Sequence, residues 1–332
     1  MILQDRIGLL KRLGNYMLSD DVRWREARQK ASLQNGWFIP EFVGLASENI
    51  AKKFLKEDEL IKWSAHYKIQ TLNSRPQRIG IVMAGNIPLV GFHDLLSVLM
   101  SGHKAVIKPS SKDEVLIKEL AEVLKTWETE INGLVEFSEM LKDCDAYIAT
   151  GSNNTSRYFE FYFGKYRHII RRNKTSVAVL TGNETIAELE ELAGDVYQFF
   201  GLGCRNVTKL YVPGGYDFVS LLTAFKKYNY LADHHKYKNN YDYNLAIHLL
   251  NNKYYMTNGS ILLIEDNSFF SPISQLNYEY YASRDELLSS LYNNQDIQGI
   301  IEKEHIPFGQ AQSPGLFDYA DKVDTMEFLQ SL

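Results

Sequence analysis

The sequence predicts a two-domain α/β protein built on parallel sheets, and three observations carry that reading. Short apolar β-runs alternate with amphipathic helical stretches from about residue 75, the pattern of strands joined by right-handed helical crossovers. The alternation restarts near residue 175, so a second α/β unit follows the first. Polar clusters of Gly, Asn, Lys, Thr and Ser fall just after successive β-runs, where such sheets bind ligands.

The totals agree with this class. A chain of 332 residues can form two compact domains with large cores. Hydrophobic content of 45% and charged content of 23% are ordinary for a soluble globular protein. A net charge of −5 argues against a nucleic-acid partner, which calls for basic clusters. Two cysteines cannot build a disulfide scaffold, so a reducing cytoplasm is expected. The opening MILQDRIGLLKRLG carries charges too early for a signal peptide. No apolar run approaches the roughly 18 residues of a membrane span.

Residues 1–74 read as a helical region packed on the next domain. Ile7, Leu10, Leu13 and Met17 make one apolar stripe; Phe42, Leu45, Ile50, Phe54 and Leu55 belong to another. Trp37 to Pro40 is a loop with an aromatic anchor. Residues 75–174 then form a nucleotide-binding domain. A β-run at 78–83 leads into Ala84-Gly85-Asn86-Ile87-Pro88, with Pro88 suited to a helix's first turn. That helix continues through Phe92, Leu95, Leu96, Leu99 and Met100 to Gly102. A second β-run at 105–108 stops at Pro109, a helix spans about 113–128, and β-runs follow at 134–137 and 146–149. Gly85-Asn86, Lys108-Pro109-Ser110 and Thr150-Gly151-Ser152 lie at three strand ends. Together they suggest a nucleotide pocket, although no GxGxxG fingerprint is present.

Residues 175–305 form the second domain and 306–332 a C-terminal return segment. A strand at 176–180 precedes a helix running from Ile186 to Phe200, where glycines stop it. Cys204 sits on the turn before a β-run at 207–212. A thiol mounted between two rigid elements suits a nucleophile, while a small buried apolar cysteine is the common alternative. A helix is plausible near 216–227, and 228–258 is rich in Tyr, Asn, Lys and His. His234-His235 lacks a third ligand at plausible spacing, so no metal site is expected. Strands at 261–264, 278–281 and 297–301 and a helix at 286–292 complete the domain. Cys144 precedes a buried strand and reads as inert.

With these pieces in order, the chain resembles the aldehyde dehydrogenase superfamily over about 75–332. Met83-Ala84-Gly85-Asn86-Ile87-Pro88 is similar to its proline-tryptophan-asparagine-x-proline segment, Lys108-Pro109-Ser110 to its cofactor lysine motif, and Thr150-Gly151-Ser152 to its threonine-glycine-serine turn. Gly203-Cys204 stands where the nucleophilic cysteine does. Ser271-Pro272-Ile273 and Pro307-Phe308-Gly309, with Gly315 beyond, resemble late motifs of the catalytic domain. The subgroup it resembles most is the LuxC-like acyl-CoA reductases, through the Gly-Asn-x-Pro form, the Gly-x-Gly-Cys-Arg-Asn segment and a missing acid. Departures exist: Ser156 replaces a glycine five residues after the Gly-Ser turn, and Ser268 stands where a ribose-binding glutamate often does.

The resemblance implies an aldehyde-dehydrogenase-like α/β fold, with a nucleotide-binding parallel-sheet domain and a catalytic α/β domain carrying the cysteine. It implies NADPH or NADH as cofactor, contacted by Met83, Ala84, Lys108, Ser110, Thr150, Gly151 and Ser152. Cys204 would attack an acyl-CoA or acyl-carrier thioester. The Asn86 amide and the Cys204 backbone N–H would hold the oxyanion, and reduction would release an aldehyde. The glutamate that activates water in hydrolytic members is replaced by Ile170, if Lys174 takes the place of the lysine in their Gly-Gly-Lys segment. No Asp or Glu lies between Glu160 and Glu184. Glu302 or Glu304 could supply a base from the second domain. A homo-oligomer is possible. The competing readings are an acyl-phosphate reductase of the glutamyl-phosphate reductase type and a non-catalytic relic binding nucleotide or protein.

Overall fold

The computed structural model describes residues 1–332. The chain divides into two compact units, Met1–Asn173 with Pro314–Leu332, and Lys174–Ser313. No helix is long and apolar enough to cross a membrane.

The first unit opens with α1 (Leu3–Leu18), α2 (Val22–Gln34), α3 (Pro40–Asn49) and α4 (Glu57–His66). The expected α1 stripe of Ile7, Leu10, Leu13 and Met17 is buried. The Asp21 side chain accepts the Arg23 N–H and caps α2, and Pro40 begins α3 without losing a needed donor. Phe38 is buried and anchors the loop between them. A wider turn at Ile50–Phe54 extends α3.

The sheet of this unit comprises β1 (Arg78–Val82), β2 (Lys104–Lys108), β3 (Val135–Phe137), β4 (Ala146–Thr150) and β5 (Arg167–Arg171), in the order β3-β2-β1-β4-β5. Every pair is parallel. The crossovers are α5 (Phe92–Ser101), α6 (Glu114–Trp127) and α7 (Asn153–Phe163). Gly102, at φ 76°, ends α5 in the left-handed region that other residues enter at a cost. Pro88 does not start that helix. Leu89 takes φ 56°, which breaks the path, and α5 begins only at Phe92.

The second unit holds β6 (Thr175–Val179), α8 (Ile186–Tyr197), β7 (Val207–Pro213), α9 (Phe218–Ala224), α10 (His235–Leu250), β8 (Met256–Thr257), β9 (Leu262–Glu265), β10 (Gln275–Tyr281), α11 (Arg284–Tyr292) and β11 (Ile297–Ile301). Its six strands run in the order β11-β6-β7-β10-β9-β8. Only the short β8 is antiparallel to its neighbour. Residues 306–313 remain in this unit, and the return to the first begins at Pro314. There α12 (Thr325–Gln330) buries Met326 and Leu329. Trp63 Nε1 donates to Tyr319 Oη at 2.9 Å, and His103 Nε2 meets the Leu329 carbonyl at 3.1 Å.

Candidate active site

In the first unit, the chain crosses from β1 to β2 on one side and later returns to β4 on the other. The carboxyl ends of β1 and β4 therefore form the switch point at which doubly wound sheets open a crevice. Val82 is in register with Lys108 on β2 and Ala149 on β4. That alignment gathers Met83, Ala84, Asn86, Lys108, Ser110, Thr150, Gly151 and Ser152 along one edge of the sheet.

Close packing shapes the loops there. The Met83 N–H donates to the Lys108 carbonyl at 3.0 Å, continuing the sheet past β1. A Cβ on Gly85 would come within 2.6 Å of Ser110 Oγ, so only glycine lets the two loops touch. A Cβ on Gly151 would meet Phe159 at 2.9 Å. Ser152 Oγ caps α7 by accepting the Thr155 N–H at 3.2 Å. Lys108 is exposed, with Nζ 2.8 Å from the Glu139 carbonyl. Ser156, in place of the expected glycine, is buried and donates Oγ–H to the Asn153 carbonyl at 2.9 Å.

Asp113 organises this edge, a role that its sequence position alone does not suggest. It is buried, and its Oδ2 accepts the Leu89 N–H at 2.6 Å, holding the strained end of the loop that carries Asn86. Its other oxygen, Oδ1, has no hydrogen-bond partner. Burial drives its pKa well above the ordinary carboxylate value, against the opposing pull of the Leu89 N–H.

In the second unit Cys204 is half-buried and in no disulfide. It lies just before β7, at the amino edge of a parallel sheet. Its carbonyl accepts from Ser176 Oγ at 3.3 Å. The turn is organised by Asn206, which is fully buried. Asn206 Oδ1 accepts the Gly203 N–H at 2.8 Å, while Nδ2 donates to the carbonyls of Asp195 at 3.0 Å and Gln198 at 2.8 Å. One side chain thus closes the cysteine turn and satisfies carbonyls left over at the end of α8.

That helix stops earlier than its glycines suggest. Gln198 is already extended, and Phe199 at φ 53° and Phe200 at φ 57° are left-handed before Gly201 at φ 74°. The packing of Phe200 against His234, with ring centroids 4.6 Å apart, and Tyr237, at 5.7 Å, offsets the strain of that backbone. His234 also caps α10, its Nδ1 accepting from the Tyr237 N–H.

The two acids that stood as the alternative source of a base are engaged with an arginine in the second unit. Glu302 and Glu304 both hold Arg284, at 2.9 and 3.1 Å, beyond the carboxyl end of β11. Cys204 is at the opposite edge of the same parallel sheet. Ser268 is bound into its own turn, Oγ donating to the Phe270 carbonyl at 3.0 Å.

Solved structures match nearly the whole chain. An oxidoreductase from Marinobacter aquaeolei aligns with 91% of this chain and 73% of its own, at 11% identity and a TM-score of 0.67. Aldehyde dehydrogenase 21 from Physcomitrella patens, in complex with the reaction product succinate, aligns with 91% and 74%, at 15% identity and a TM-score of 0.66. The fold is that of the aldehyde dehydrogenases. A mutant of aldehyde dehydrogenase C from Pseudomonas syringae, complexed with NAD+ and octanal, aligns with 91% of this chain and 72% of its own, at 13% identity and a TM-score of 0.65. A family model described as acyl-CoA reductase (LuxC) matches residues 65–220. No curated protein matches by sequence. Within the aldehyde dehydrogenase fold, the matched LuxC stretch includes both the β1–β4 switch point and the Cys204 turn.

Proposed function

We propose that the chain is an NAD(P)H-dependent reductase that converts an acyl thioester to an aldehyde through an acyl-cysteine. Two observations carry this reading, each in its own unit: Cys204 sits on a turn braced by the buried Asn206, and the segment that includes β5 has no carboxylate. Ile170 lies on that strand, and no acid occurs between Glu160 and Glu184. Without a positioned base, attack of water on an acyl-cysteine loses roughly 10²–10⁴-fold. An acyl group on Cys204 then leaves by reduction or by transfer to another thiol.

The β1–β4 switch point suits a nicotinamide dinucleotide. Lys108 and Ser110 offer a cation and a hydroxyl, and Ser152 opens α7. When bound, the cofactor supplies the hydride; the chain supplies position and electrostatics. Cys204 attacks the thioester carbonyl and expels the carrier thiol. Asn86 is the proposed side-chain donor to the oxyanion. After reduction, the thiohemiacetal on Cys204 collapses to aldehyde and restores the thiolate. The partial match to an acyl-CoA reductase model supports a thioester substrate, and the octanal complex of a protein with this fold agrees with an aldehyde product.

The test is NAD(P)H oxidation across acyl-CoA chain lengths, with an acyl phosphate alongside and the aldehyde trapped. Aldehyde from acyl-CoA is expected. Turnover of acyl phosphate alone would make this an acyl-phosphate reductase. Rapid carboxylate release from aldehyde and NADP⁺ without a thiol acceptor would make it a hydrolytic dehydrogenase.

A further inference from the structure

Three local costs meet in one contact on the carboxyl edge of the first sheet. Leu89 is the only residue between β1 and α5 with a left-handed backbone, at φ 56°, a conformation that a Cβ disfavours. Asp113 is the N-cap residue of α6, yet its side chain makes no hydrogen bond to that helix, although aspartate is among the best caps. The same carboxyl is buried, with Oδ1 left without a hydrogen bond. What these costs secure is the 2.6 Å hydrogen bond from the Leu89 N–H to Oδ2. Strain that the surroundings hold in place points to a functional position.

The bond joins two loops that carry different parts of the proposed site. Asp113 closes the loop after β2, which bears Lys108 and Ser110, and its own N–H donates to the Ser110 carbonyl at 3.0 Å. The Lys112 carbonyl accepts from Asn35 Nδ2 at 3.1 Å, so this end of the loop is fixed from behind. Leu89 stands three residues beyond Asn86, and its carbonyl accepts the Phe92 N–H at 3.0 Å as α5 begins. Asn86 therefore lies on a loop tied at both ends to the loop after β2. Met83 N–H holds the Lys108 carbonyl at one end, and Leu89 N–H holds Asp113 at the other. Without the second tie, rotation about the Leu89 backbone would let the whole Asn86 loop swing.

We infer that Asp113 is a positioning residue which, by holding Leu89, sets Asn86 for its role as oxyanion donor, an inference that rests on the reductase reading above. Asp113 acts through Asn86 and touches neither substrate nor cofactor. Burial favours its neutral form, so an amide can stand in for the carboxyl as acceptor.

The experiment is a mutant cycle read in two ways: coenzyme A release from acyl-CoA without cofactor, and NADPH oxidation with it. Asp113→Ser gives α6 an ordinary cap but is one bond too short to reach Leu89. It should slow both reactions roughly 10–100-fold, while the acyl-CoA KM, NADPH affinity and melting temperature change little. Asp113→Asn keeps an acceptor for the Leu89 N–H and should stay within about threefold of wild type. In an Asn86→Ala background, Asp113→Ser should cost less than about twofold more, because the residue it acts through is gone. Additive losses would overturn the inference, as would full activity of Asp113→Ser or an Asp113→Asn protein as slow as the serine variant. Failure of Asp113→Ser to fold would make the residue structural and overturn it too. A wild type inactive on every acyl thioester would overturn the reductase reading itself, and this role with it.

Discussion

Cys144 and Cys204 differ in what surrounds the sulfur. Cys144 is buried beside Gly80, its Sγ 3.6 Å from the Lys142 carbonyl, and burial pushes its pKa to about 11. Its reactive thiolate is therefore scarce at neutral pH. Cys204→Ala should abolish acyl-CoA reduction and Cys144→Ala should not; near-normal turnover of the first variant would end the mechanism. Asn86→Ala should cost roughly 10²–10³-fold in kcat, as removal of one oxyanion donor does. An unchanged kcat would remove Asn86 from the chemistry. Asn206→Ala would strand the Gly203 N–H and the carbonyls at the end of α8, at about 1–3 kcal/mol for each buried group left unpaired. A lower melting temperature and altered alkylation of Cys204 are expected, whereas an unshifted melt would show that the turn does not depend on that amide. The cysteine was legible as a candidate because Gly201 and Gly203 precede it and a β-run follows. Asn206 was not, because its partners belong to a helix end whose position the sequence misplaces.

At the scale of elements, α8 is tied to the loop after β11 through Asp195. This fully buried carboxylate accepts the Gly309 N–H at 2.7 Å and the Ala311 N–H at 3.0 Å. Burial raises its pKa from 3.8 to about 7, although both N–H groups pull the other way. A carboxyl with a raised folded pKa contributes most below its unfolded value, and that contribution is lost as pH rises toward 7. The wild-type melting temperature should therefore fall from pH 5 to pH 8 more steeply than that of Asp195→Asn. Equal slopes would show that Asp195 does not titrate in that window. The loop after β2 bears on the cofactor. Asp113 is turned inward to Leu89, leaving Ser111 and Lys112 exposed at the strand end. A ribose 2′-phosphate meets no accessible carboxylate in that segment, so NADPH should be preferred or equalled; roughly 100-fold better kcat/KM with NADH would reject this. The parallel strands were legible as apolar runs between polar stops. Two helices were not. In α10, Tyr237, Tyr241, Asn244 and His248 face inward while Leu249 and Leu250 face out, so no apolar stripe marks it. The aromatics of α7 mark a surface that this unit leaves open.

Across the whole molecule, the fold class followed from the alternation and from the order of the strand-end motifs. The point of return did not. Residues 306–313 stay with the second unit because Asp195, more than a hundred positions earlier, holds the N–H groups of Gly309 and Ala311. A local pattern carries no trace of such a pairing. The last residues are integral to the first unit's core. Arg171 is buried between Asp94 on α5 and Thr325, which its guanidinium reaches at 2.7 Å. Truncation after Ser313 should uncover apolar surface around α5 and leave a protein that binds hydrophobic dyes and is digested rapidly within residues 1–173. Compact, protease-resistant behaviour of the truncated chain would contradict this.

That return also sets a timetable for synthesis. The first unit cannot close when its own 173 leading residues emerge, because Pro314–Leu332 are still unmade. Translation at roughly 5–20 residues per second imposes a delay on the order of ten seconds while the intervening unit is produced. During that interval the nascent α5 presents its uncovered flank, including the side on which Met326 and Leu329 will come to rest. In this chain the unit that starts first finishes last, and a nascent-chain chaperone would find its target in the leading half.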